Sequence, residues 1–62
     1  MRTDIFRRTY GIGSFALYYK NNGSYYRVGA NTNKHGAIVY SPARRISKLE
    51  YESEKIRAEL KA

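Results

Sequence analysis

The sequence predicts an α+β fold in which a three-stranded antiparallel sheet packs against one C-terminal helix, and three stretches predict it. Asn21-Asn22-Gly23 lies between two runs of alternating character, Ser14 to Asn21 and Ser24 to Ala30. Asn-Gly in that setting is the strongest short-range hairpin signal, because a type I′ turn needs positive φ at both central residues. Behind the polar, Gly-terminated loop Asn31 to Gly36, the run Ala37-Ile38-Val39-Tyr40 has strong β composition and reads as a third strand, closed by Ser41-Pro42. Ser47, with Glu50 three residues on, forms a capping box ahead of a helix-favouring run.

In chain order, residues 1–12 come first. They contain Ile5-Phe6 and then Arg7-Arg8, and read as a short strand or as an arm that orders on binding, broken by Gly11-Ile12-Gly13. Residues 13–62 form one β-β-β-α domain. With Asn22-Gly23 as the turn, Tyr19 opposes Tyr26, Leu17 opposes Val28 and Phe15 opposes Ala30, which makes one apolar face. The other face carries Lys20 opposite Tyr25, Tyr18 opposite Arg27 and Ala16 opposite Gly29. The helix is expected from Lys48 to about Lys61, with Ile46 and Tyr51 as a hydrophobic staple. Its narrow apolar stripe, Leu49, Ser53, Ile56 and Leu60, is expected to cover the apolar sheet face.

At 62 residues the chain is one domain at most, of a size that buries only about 60% of the surface its unfolded form exposes. A monomer or a weak homodimer is expected. With no cysteine and a single histidine, neither a disulfide framework nor a usual zinc shell can be assembled, and no cofactor is expected. Met1 to Tyr10 lack the long apolar run of a signal peptide or membrane span, so cytoplasmic residence is the economical reading.

Net charge is +7 and is unevenly spread: residues 1–48 carry +8, and residues 49–62 carry −1. A basic field confined to the sheet and loops points to a polyanionic partner. Tyr18, Lys20, Tyr25 and Arg27 are the sharpest binding candidates, since flat rings stack on bases or sugars while cations meet phosphates. Arg44, Arg45 and Lys48 lie beside the helix N-terminus, which favours an anion, and Arg7, Arg8 and Lys34 extend the basic set. His35 has no Ser, Cys or carboxylate beside it and reads as a solvated loop residue. Gly11-Ile12-Gly13 lacks the third glycine of a dinucleotide fingerprint. No enzymatic activity is expected.

The stretch Leu17-Tyr18-Tyr19-Lys20-Asn21-Asn22-Gly23-Ser24-Tyr25-Tyr26-Arg27 resembles the amino-terminal arm-DNA-binding domain of phage integrases of the tyrosine recombinase family. The likeness continues through the second turn, the third strand and the helix, from about Phe15 to Leu60. It implies three strands and a helix, and a sheet face in the major groove with Tyr18, Lys20, Tyr25 and Arg27 nearest the bases. Integrases continue into core-binding and catalytic domains, for which 62 residues leave no room, so strand exchange is not expected of this chain. The functional expectation is a small basic nucleic-acid-binding protein of phage or mobile-element origin that acts by occupancy, with DNA favoured over RNA. The rival is a small inhibitor or adaptor that docks the same aromatic and basic face on an acidic host protein.

Overall fold

The computed structural model describes residues 2–60. Five strands precede one helix: β1 (Arg2–Gly11), β2 (Ser14–Asn21), β3 (Ser24–Thr32), β4 (Ile38–Tyr40), β5 (Arg44–Ile46) and α1 (Lys48–Leu60). All pairings are antiparallel, in the order β1-β2-β3-β4, and β5 continues along the β3 edge that β4 begins. The fold is α+β, one antiparallel sheet with one C-terminal helix. Lys61, to which the helix was expected to extend, lies outside the described residues.

The central hairpin has the expected register, with every β2 and β3 pair from Ser14 and Asn31 to Asn21 and Ser24 in step. Asn22 (φ 51°) and Gly23 (φ 81°) both take the left-handed conformation that a type I′ turn demands. Gly11-Ile12-Gly13 is a second hairpin turn, which joins β1 to β2. Gly13 has φ 75°, and a Cβ there would lie 3.0 Å from the Thr32 hydroxyl oxygen, so both backbone and space select glycine. The first segment is thus a ten-residue edge strand of the same sheet. It is interrupted where the register shifts between Thr3 and Phe6, around Asp4 at φ 51°.

Strand β5 was not expected, because Arg44-Arg45-Ile46 is too short and too basic to read as β from propensity. Tertiary pairing makes it: after Pro42, Arg44 to Ile46 resume the ladder opposite Arg27 to Tyr25, and Ile46 becomes buried.

The helix covers the opposite face of the sheet from the one expected. The core it makes contains Ala16, Tyr18, Ile46 and Tyr51, with Phe6 and Tyr25 packed against it. Leu49, Ile56 and Leu60, the stripe expected to face the sheet, are all well exposed. The staple decides this. Ile46 lies opposite Tyr25, on the Tyr18 side of the sheet, and only Ser47 separates it from the first helical residue. The helix therefore starts on that face, and Tyr51, the staple partner of Ile46, becomes its one buried residue. Half of the capping box is present: the Glu50 N–H donates to Ser47 Oγ at 3.1 Å, while the Glu50 carboxylate approaches Arg44 at 3.8 Å.

Two substitutions separate staple from stripe. Tyr51→Ala should remove about 3–5 kcal/mol and leave little folded protein, whereas Leu49→Ala should stay within about 0.5 kcal/mol of wild type. Urea unfolding followed by circular dichroism distinguishes them, and equal costs would contradict this packing. Ser47→Ala should cost roughly 1 kcal/mol in the same assay.

Candidate nucleic-acid interface

The face under the helix is closed by aromatic packing and hydrogen bonds. Phe6 and Tyr18 stack with centroids 4.9 Å apart, and Tyr51 meets Phe6 edge-on at 5.2 Å and Tyr25 at 4.7 Å. Tyr18 is 1% exposed. Its hydroxyl pairs with that of Tyr10 at 2.7 Å and accepts from Arg27 Nε at 3.1 Å. Burial, reinforced by the Tyr10 bond and only partly opposed by Arg27, pushes the Tyr18 phenol up to about 12. Burial also raises the Tyr51 phenol, whose hydroxyl donates to the Asp4 carbonyl at 2.5 Å. Arg8 Nε meets Glu54 Oε2 at 2.8 Å, in a pair largely shielded from water.

Six of the ten binding candidates therefore lie on the helix side. Tyr18 is buried there, Tyr25 packs on Tyr51, Arg27 is engaged by Tyr18 and Arg8 by Glu54. Lys20 lies 5.9 Å from the Tyr25 ring, beside a cleft that also holds Asp4, Glu52 and Lys55, and Arg44 approaches Glu50 at 3.8 Å. Lys34 is exposed in the loop after β3, and Lys48 is the exposed first residue of α1. Arg7 and Arg45 stand on the other, uncovered face. Residues directly opposed across strands share a face, which places Arg7 beside Leu17, and Arg45 beside Tyr26.

That open face is built from two rows. In the first, the Arg2 guanidinium sits 4.7 Å over the Tyr19 ring, Tyr19 stacks on Tyr26 at 5.4 Å, and Arg45 lies opposite Tyr26. In the second, Arg7 sits 4.1 Å over Phe15, and Phe15 meets Tyr40 edge-on at 6.2 Å. Between the rows lies an open concavity of about 440 Å³, with Ile5, Leu17 and Val28 in its lining. Covered in this way, Tyr19 is 6% and Phe15 9% exposed although no helix lies over them. A guanidinium stacked on a ring keeps its N–H edge free, so Arg2 and Arg7 can still donate in a fork to a phosphate or a base edge.

The carboxylates segregate to one side. All five carboxylates belong to Asp4, which borders the cleft beside Tyr51, or to Glu50, Glu52, Glu54 and Glu59 of the helix. Arg2, Arg7 and Arg45 thus share their face with no acid. Arg2, Tyr19, Tyr26 and Tyr40 were absent from the candidates, since the first three depend on which face the helix takes, and on a β1 register displaced by a bulge. The paired Tyr19 and Tyr26 were the one legible signal.

No protein-family model matches the chain, and no similar curated protein or solved structure was found. The likeness to integrase arm-binding domains, from about Phe15 to Leu60, thus rests on the sequence resemblance alone.

The buried phenols make stability depend on alkaline pH. A phenol whose folded pKa is raised favours folding fully below its ordinary value near 10, and that contribution disappears as pH climbs toward about 12. Urea midpoints should accordingly hold from neutral pH to about 10 and then fall. Tyr18→Phe should fall less steeply over the same interval, and parallel curves would show that Tyr18 is not the titrating group.

Proposed function

We propose that this protein binds duplex DNA through the open sheet face and acts by occupancy. The observation that carries the proposal is the placement of Arg2, Arg7 and Arg45 on a face without a carboxylate, two of them planted on aromatic rings. A polyanion approaching that face meets donors already held against rings, which lowers the ordering cost of each contact. The ring faces support duplex over single-stranded partners. Tyr19 is contacted by both Arg2 and Tyr26, and Phe15 is covered by Arg7, so neither offers a bare platform for an unstacked base, and Tyr40, 54% exposed, is the ring of these rows left most open. The proposal keeps the partner expected from the sequence and moves the contact to the other face of the hairpin.

Fluorescence anisotropy with labelled duplex and single-stranded oligonucleotides tests this. Neutralising about four phosphates gives a slope of log affinity against log salt near −3.6, which is roughly a hundred-fold loss between 50 and 200 mM salt. Arg7→Glu or Arg45→Glu should each weaken duplex binding by at least about ten-fold, while Lys55→Glu on the helix side should change it by less than about two-fold. A flat salt response, or equal losses from all three, would reject the face.

The concavity lined by Ile5, Leu17 and Val28 favours a second reading, in which an acidic protein inserts an apolar side chain there and meets the flanking arginines. Nuclease treatment before pulldown separates the two: DNA binding predicts that capture is lost, and the inhibitor or adaptor reading predicts one stoichiometric protein retained.

A further inference from the structure

Leu49, Ser53, Ile56 and Leu60 run along α1 away from Tyr51, with Ile56 at the rim of the cleft that Lys20, Tyr25 and Tyr51 line, and the three apolar residues are 75%, 57% and 79% exposed. At 3.6 residues per turn this line lies diametrically opposite Tyr51, Glu54 and Ala58, the residues nearest the sheet. A helix at the surface of a two-layer fold ordinarily puts polar residues there, and this one puts its apolar ones. The spacing of four, three and four is the seam of two helices packed side by side, and Ser53 at its middle is small enough for close approach.

The flanking charges name the occupant. Glu50 and Arg57 border the seam on one side, and Glu52 and Glu59 border it on the other. When two copies of α1 pair in parallel, Glu52 of each falls beside Arg57 of the other, giving two attractive contacts by symmetry. Antiparallel pairing would set Glu52 against Glu59 instead. Arg57 is free to reach across, being 65% exposed with only a 3.6 Å contact to Glu54 on its own helix.

We infer that α1 is a self-association surface, on which a second copy of this chain packs in parallel along Leu49, Ser53, Ile56 and Leu60, flanked by Glu52 and Arg57 ion pairs. The seam is small. Three apolar side chains per copy fall well short of the ~800 Å² per partner of a standard interface, which makes the association weak and concentration-dependent. The pairing does not depend on what the open sheet face binds, and that face, on the far side of the sheet, stays accessible in the dimer.

Sedimentation equilibrium without DNA, from about 10 μM to about 1 mM protein at low salt, tests the inference. The mass should rise toward twice that of one chain. Ile56→Glu alters an exposed position, so circular dichroism should be unchanged while the mass stays monomeric. Glu52→Arg should weaken association about ten-fold, and adding Arg57→Glu to the same chain should restore it. A monomer at about 1 mM overturns the inference, as does association that survives Ile56→Glu. Strengthening by Glu52→Arg would overturn the parallel arrangement, because antiparallel helices would place the new arginine against Glu59.

Discussion

The docking of Tyr51 is the contact on which the rest of this structure depends. Its ring meets Phe6 and Tyr25, its hydroxyl holds the Asp4 carbonyl where β1 bulges, and the Ile46 staple fixes its position over the sheet. One residue thus links the helix to β1, to β3 and to the chain just before the helix. Aromatic pairs add about 0.5–1.5 kcal/mol each beyond the area they bury, a large share of the stability of so small a core. The polar ends of these rings are satisfied as well: among the described residues no buried side-chain nitrogen or oxygen lacks a partner. A phenol-rich core works here because Tyr10, Arg27 and a backbone carbonyl supply what an aliphatic core would not need.

Once Tyr51 takes one face, the other must manage its aromatic residues without a second layer. Arginines do so. Arg2 and Arg7 set their guanidinium groups over the Tyr19 and Phe15 rings, which are 6% and 9% exposed, and so cover them with a charged group instead of a second layer. The same geometry that protects the face from nonspecific apolar contact makes it basic. Structure and candidate function are therefore coupled, because removing an arginine exposes a ring as well as deleting a charge.

Much of this was legible in the residues. The Asn22-Gly23 turn fixed the hairpin register, Ser47 and Glu50 marked the helix start, and Ile46 and Tyr51 were recognisable as a staple. The identity of the covered face was harder to read, because both faces of the hairpin carry tyrosines, and Tyr is as suited to a core as to a surface. Two cues conflicted. The apolar stripe from Leu49 to Leu60 suggested one helix face and the staple another, and the staple prevailed because Ser47 is too short a connection to carry the helix around the sheet edge. Strand β5 and the register of β1 were hidden for a different reason, being set by pairing with β3 and by a bulge at Asp4, and neither leaves a local pattern.

The confinement of the carboxylates to one side of the sheet has an electrostatic consequence. Its thinnest dimension is 16 Å, about two screening lengths at physiological ionic strength. A body that thin presents two nearly independent electrostatic surfaces, and an approaching polyanion feels the nearer one almost alone. The helix side interleaves its five carboxylates with Arg8, Lys20, Arg27, Arg44, Lys48, Lys55 and Arg57, while Arg2, Arg7 and Arg45 stand on the open face without an acid. One side is thus a mosaic of both signs and the other carries one sign alone, so an anion within a screening length would meet alternating attraction and repulsion on the first and attraction alone on the second.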